Sequence, residues 1–219
     1  MAKPQGESRN AEAMTERRQL ILATADELLA ENGLDGLTIR AVLARTMLAR
    51  RAFYDVFSSK DDLVLAMFEH TLADAAVTLA DAGEGLASPQ ERLELVVHSI
   101  VSTGPVGEAR ELVRRDKRAA AFSREHLRLA QVRPEQLQRA IEPLVALIRS
   151  IIVEGIERGG WQSQSPDRAA RFVYNLVSTT VHTETLDPGF HTMASDEREA
   201  LAAQLSTFCL NALAAVREI

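Results

Sequence analysis

Apolar residues along this chain recur at helical spacing and almost nowhere alternate, so the pattern predicts one helix after another and no sheet. Ile21, Ala25, Leu28 and Leu29 form the stripe of a first helix, with Thr15 as its cap and an end near Glu31. Asn32-Gly33 is its stop, because glycine accepts the left-handed conformation beyond a helix end. Residues 1–14 carry few large apolar side chains and include Pro4 and Gly6, which predicts a mobile arm. Beyond Leu34-Asp35-Gly36, Thr38 caps a short helix over 39–45. Thr46-Met47-Leu48 turns the chain, and a second short helix covers 49–56. Ser59, with Asp62 three residues on, is the capping pattern of a long helix over 60–82, with Leu63, Met67, His70 and Val77 on one face and Gly83-Glu84-Gly85 as its end.

Further helices are predicted over 89–102, 107–130 and 134–158, the last kinked where Pro143 removes a backbone hydrogen bond. Ser165-Pro166 opens another over 166–184, Asp187-Pro188-Gly189 is a turn, and Ser195 caps a final helix with the stripe Leu201, Leu205, Phe208, Ala212 and Val216. The expected organisation is all-α: an arm over 1–14, a head over 15–62, and a body over 63–219, with the helix over 60–82 joining head to body.

Composition narrows the class of function. The 219 residues are 46% apolar and 26% charged, enough to bury a real core. One cysteine, Cys209, excludes an intramolecular disulfide and a cysteine-based zinc cluster. Without an apolar leader or a run of about 18 apolar residues, a cytoplasmic protein with no membrane partner is expected. No nucleophile-base pair, phosphate loop or metal-ligand spacing stands out, so no catalytic residue, cofactor or metal is expected. The net charge of −6 disfavours nucleic acid until its distribution is read. Gly36 to Lys60 holds Arg40, Arg45, Arg50, Arg51 and Lys60 against Asp55 alone, a local +4, while residues 61–219 carry −7. A basic head on an acidic body suits a protein that sets one end on phosphate.

Three stretches then become specific: Leu37-Thr38-Ile39-Arg40 with Ala44-Arg45, Arg50-Arg51-Ala52-Phe53-Tyr54, and Phe57-Ser58-Ser59-Lys60. With the Glu31-Asn32-Gly33 ending of the first helix, they resemble the DNA-binding domain of the tetracycline-repressor (TetR) family over about residues 15–68. Glu154-Gly155-Ile156-Glu157-Arg158-Gly159 is similar to a recurrent segment of that family's ligand-binding domain. The resemblance implies a ligand-responsive transcriptional regulator, a repressor that binds a palindromic operator in double-stranded DNA as a homodimer.

In such a head the second short helix enters the major groove while the first braces it across the backbone. Arg50 and Arg51 stand at the tip of that helix, where an arginine can bond guanine O6 and N7. Ala52 is small enough for close approach or contact with a thymine methyl, and Ala49, just before the helix, is counted among the DNA-binding positions. Lys60 and the amides of its helical turn suit a phosphate, and Thr38 offers a hydroxyl to cap or to touch the backbone. By resemblance Tyr54 reaches phosphate, and Arg40 falls at a base- or phosphate-contacting position. Two residues depart from the family pattern. Met47 occupies the usual glycine of the turn, and Ala49 the usual hydroxyl cap, so either the turn is remodelled or the bracing helix runs past Arg45. The opposing reading is a helical interaction module whose head no longer binds DNA.

The resemblance also implies a ligand chamber in the body and a dimer interface on the last two helices, where Ala170, Ala203 and Ala212 allow close approach. Polar groups on apolar faces are the candidates for orienting a small-molecule effector: His98, Ser102, Phe122, His126, Asn175, Ser178, Thr179 and His182. The run Arg114-Arg115-Asp116-Lys117-Arg118 reads as a hydrated helix face.

Overall fold

The computed structural model describes residues 5–102, 109–184 and 195–214, with side chains described except at 5–9, 102, 109–120 and 195. Among these residues the chain forms helices α1 (Gln5–Gly36), α2 (Ile39–Thr46), α3 (Arg50–Tyr54), α4 (Lys60–Gly83), α5 (Pro89–Ser102), α6 (Ala109–Val132), α7 (Pro134–Glu157), α8 (Pro166–Glu184) and α9 (Ser195–Leu213), with no strand. One isolated bridge joins Trp161 to Ala214. The all-α expectation holds. Ser102 as a side chain, the 114–118 run, the turn at 187–189 and Val216 lie outside the described residues.

Helix α1 corrects the first expectation. It begins by Gln5, and Thr15 lies inside it, its hydroxyl bonding back to the Ala11 carbonyl at 3.0 Å rather than capping an end. Ala11, Glu12, Ala13 and Glu16 are strong helix formers, so nothing there stops the helix short. The predicted stop at Gly33 is real: its φ of 66° breaks the helical path, and a last turn carries on to Gly36.

The head packs around Ile21, Ala25, Leu28, Leu37, Val42, Phe53, Phe57 and Leu63, all buried. Caps set its helix starts. Thr38 accepts from the Ala41 amide at 3.0 Å, and Ser59 accepts from the Asp62 amide at 3.1 Å. Helix α4 contains an 18-residue window of mean hydropathy 1.4, long and apolar enough to cross a membrane by length and composition alone. Here that apolarity serves a core: Leu63, Val64, Ala66, Met67, Phe68 and Leu79 are buried, and the helix packs most extensively on α7. His70 and Val77, expected on that face, are exposed.

In the body, α7 lays Leu137, Ile141, Leu144, Ile148, Ile151 and Ile152 against α4, α5 and α8, and continues unbroken through Pro143. Helix α5 opens with a capping box. Ser88 accepts from the Glu91 amide, the Glu91 carboxylate accepts from the Ser88 amide, and Pro89 takes the first helical position. The α7 end turns at Gly159 (φ 76°), and the Gly160 and Trp161 amides close on the Gly155 carbonyl. The buried Trp161 indole lies against Gly155, where a Cβ would collide with the ring.

Helix α9 buries Ala202, Leu205, Cys209 and Leu213, and leaves Ala203, Phe208 and Ala212 exposed. Of the predicted stripe, Phe208 and Ala212 therefore face outward. On α8, Ala170 is fully buried in the body's own core, so it is not free for close approach to a second chain.

Candidate nucleic-acid interface

The head sets two short helices on a rigid base. Thr46 ends α2, and its hydroxyl bonds the Val42 carbonyl at 2.8 Å while accepting from the Leu48 amide at 3.4 Å. Met47 then takes φ 55° and ψ 20°, the left-handed conformation that glycine adopts without strain. The expected conflict is thus resolved by strain, costing roughly 1 kcal/mol, and the turn keeps its shape. Met47 is 87% exposed and the sole non-glycine residue with positive φ among the described residues. Ala49 takes the N-cap of α3 with an extended backbone and no side-chain bond.

Helix α3 is five residues long and hangs on Phe53, which is fully buried and meets Tyr54 edge-on at 5.5 Å and Phe57 at 5.9 Å. Phe57 in turn lies under the Arg18 guanidinium of α1, 5.0 Å from the ring centre. With the pins inward, the polar tip is left outward. Arg50 and Arg51 are exposed, Ala52 is half-buried, and Tyr54 is 42% exposed with the Arg50 guanidinium 5.6 Å from its ring centre. That stacking pre-orients the arginine without consuming its hydrogen-bond donors.

Thr38, Arg40 and Ala49 are exposed, and Lys60 is half-buried, its Nζ 3.5 Å from the Leu34 carbonyl. Arg45 behaves differently: its Nη2 bonds Glu31 at 2.9 Å and its Nη1 lies 3.8 Å from Glu27. Of the five basic residues counted from Gly36 to Lys60, Arg45 is therefore committed to bracing α2 on α1. Arg40, Arg50, Arg51 and Lys60 are held in no ion pair among the described residues.

Behind Lys60, the first turn of α4 is tied to the body. Arg128 of α6 bonds Asp61 at 2.6 and 3.3 Å and Glu125 at 2.7 Å, and Arg133 bonds Asp62 at 2.5 Å. Hydrogen bonds led by Ser58 and joined by Arg133 hold the Asp62 carboxyl below its ordinary range. Neither arginine stood out in the sequence, because their partners lie far away along the chain.

Deeper in the body, α4, α6 and α8 bring several effector candidates together. Phe122 meets Phe68 edge-on at 4.6 Å, and His126 lies 6.1 Å from Phe68, 6.5 Å from Tyr174 and 4.5 Å from His182, centre to centre. Burial lowers the pKa of His126. Burial and then the neighbouring His126 take His182 down to about 4, so both imidazoles are neutral at pH 7. Ser178 is buried one turn before His182. Asn175 and Thr179 are exposed on the outward side of α8, away from this cluster, and His98 is half-buried on α5. Phe68 and Tyr174 were missed, since on their helices they read as ordinary core stripe.

Residues 21–67 match the family model of bacterial regulatory proteins, tetR family. The tetR-family likeness is thus carried by the head and the first turns of α4. The matched stretch contains α2, α3 and the turn between them, the helix-turn-helix unit of the head. Solved structures extend the tetR likeness of fold over most of the chain. FadR from Bacillus subtilis, solved with stearoyl-CoA, shares 17% identity at a TM-score of 0.65, over 89% of this chain and 98% of that one. Reduced NemR from E. coli shares 18% at 0.63, over 93% and 100%. FadR from Bacillus halodurans, a fatty acid degradation regulator, shares 15% at 0.63, over 89% and 98%. No curated protein sequence compared with the chain matches it.

Proposed function

We propose that this tetR-family chain is a homodimeric, cytoplasmic transcriptional repressor that binds a palindromic operator and is released by a small-molecule effector. The observation that carries the DNA half of the reading is the tip of the head: Arg40, Arg50, Arg51 and Lys60 exposed or half-exposed around a short helix whose apolar side is locked down by Phe53. Arg50 and Arg51 read base edges in the major groove. Thr38, Tyr54 and Lys60 hold phosphates, Arg40 holds phosphate or a base edge, and Ala49 and Ala52 let the backbone close in.

Dimerisation is supported by α8 and α9. Phe172 is 65% exposed and Phe208 62%, and the α9 face lines a shallow groove with Ala203, Gln204, Thr207 and Asn211. Two large exposed phenylalanines on adjacent helices are what a second copy would cover. Asn175 and Thr179, on the outward side of α8, belong with that face in this reading, not with the effector.

Phe122, His126, Ser178 and His182, with Phe68 and Tyr174, supply a site for an effector that is largely apolar and offers few hydrogen-bonding groups. A ligand favouring a spacing of the two heads other than about one DNA turn, roughly 34–36 Å, would release the operator.

The test is enrichment of bound duplexes from a random pool by the purified protein, followed by a salt titration of the winner. A palindrome bound with a steep negative salt slope, and weakened about tenfold or more by Arg51→Ala, is the expected result. No enrichment and no binding at low salt would overturn the reading in favour of a protein-interaction module.

A further inference from the structure

Where the head meets the body, the first turn of α4 carries two acids in the place a phosphate would have to approach. Asp61 and Asp62 follow Lys60 directly and lie at the N-terminal end of a 24-residue helix. Acids there stabilise the helix through its dipole, yet two bare carboxylates within one turn of a phosphate would repel it. Neither is bare. Arg128 holds Asp61 through both terminal nitrogens and also bonds Glu125, while Arg133 bonds Asp62 and places its Nε 3.8 Å from Asp61. On the head side, Ser58 donates to Asp62 and the Ser59 hydroxyl accepts from its amide.

We infer that Arg128 and Arg133 are positioning residues for DNA binding, acting from the body to neutralise and hold back Asp61 and Asp62 so that phosphate can approach Lys60. The inference rests on the DNA-binding reading above. It makes the phosphate clamp a composite: the head supplies Lys60 and the amides of α4, and the body supplies the charge that cancels the acids beside them. Three carboxylates (Asp61, Asp62, Glu125) face two guanidiniums, so losing either arginine leaves a strongly negative patch next to Lys60. In a dimer the change occurs at both heads. Any shift of α6 that drew Arg128 off Asp61 would have the same effect as the mutation.

A purely mechanical role, in which the arginines only clamp head to body, predicts something different. Arg128→Gln and Asp61→Asn both break the Arg128–Asp61 bond, so a clamp is weakened by both. Charge screening separates them by sign. Operator affinity would be read by fluorescence anisotropy with the full-length protein and the tightest duplex enriched from a random pool, at low and high salt. Arg128→Gln should weaken binding about tenfold at low salt, with the loss shrinking as the Debye length falls. Asp61→Asn should bind as tightly as wild type or tighter. The double variant Asp61→Asn/Arg128→Gln should return to within about threefold of wild type, and Arg128→Lys should keep most of the affinity.

Weakening by Asp61→Asn comparable to that by Arg128→Gln would overturn the inference, as would an unchanged Arg128→Gln or a loss independent of salt. Should Arg128→Gln lose its helical circular dichroism, Asp61→Asn and Arg128→Lys carry the test alone. If the wild type enriches no duplex at any salt, the DNA-binding reading falls first and this inference falls with it. Wild-type binding with variants of the wrong sign sinks the inference only.

Discussion

The histidine pair makes stability depend on pH in a window of its own. His182 of α8 and His126 of α6 lie ring to ring at 4.5 Å, beside Phe68 and Tyr174. Burial, and then the neighbouring imidazole, hold His182 down to about 4, from an ordinary 6.5. Above about pH 6.5 both the folded and the unfolded chain carry these groups neutral, and pH does nothing to the balance. Below it the unfolded chain takes up a proton that the folded chain refuses, so stability falls as pH falls, by about 1.4 kcal/mol per unit for each fully shifted group. Between about pH 6.5 and 5, His182 alone should therefore remove about 2 kcal/mol, somewhat less for the part of the ring that water reaches. Its share stops growing near the folded value of about 4.

Asp62 and Glu154 act lower. Their pKa values are held down by Ser58 and Arg92 respectively, so their contribution is present above the ordinary carboxylate range and is lost only as pH drops through the lowered values. Urea unfolding at one fixed protein concentration, at about pH 7.5, 6.5, 5.5 and 5, isolates the imidazole window. Wild type should lose stability from the second point onward, and His182→Gln should flatten most of that slope. A wild-type profile level down to pH 5, or an equal slope in His182→Gln, would refute the reasoning.

Gly155→Ala should destabilise the protein by about 2 kcal/mol in thermal or urea unfolding, because the new methyl collides with the Trp161 ring and outweighs the helix propensity gained. Cys209, 2% exposed and with burial pushing its thiol up to about 11, should react with a thiol reagent only as fast as the body opens. Rapid labelling in native buffer would contradict that. Phe208→Glu, at a side chain already exposed in the single chain, should leave the monomer's fold intact and shift sedimentation from dimer to monomer. An unchanged dimer would place the interface elsewhere.

Local chemistry was legible in the sequence and long-range pairing was not. The starts of α5 and α8 follow from Ser-Pro openings, whereas at Met47, where a remodelled turn or a longer bracing helix is expected, α2 runs one residue past Arg45 and Met47 takes the left-handed conformation itself. Helix α1 ran past its expected start because a threonine among good helix formers caps nothing unless the backbone has somewhere else to go. In α9 the predicted stripe shares Leu205 with the buried face but put Phe208 and Ala212 inside, where Ala202, Cys209 and Leu213 are buried instead. The exposed basic tip of the head was visible because its residues are neighbours in sequence. The His126–His182 pair and the Arg128–Asp61 bond needed three dimensions.

The packing of α1 against α6 bears on how such a protein can be inherited and recombined. Leu29, Leu34 and Leu37 of the head, and Val64 and Met67 of the joining helix, meet Ala121, Phe122 and Glu125 across a seam with almost no free volume. A head cut away near residue 62 would bare that seam, and the same head grafted onto another body would meet the wrong surface. Head and body are thus not interchangeable parts. If Arg50 and Arg51 read the operator as proposed, a new preference can be acquired by changing them alone, but a new body must arrive with an α6 that already fits the old α1.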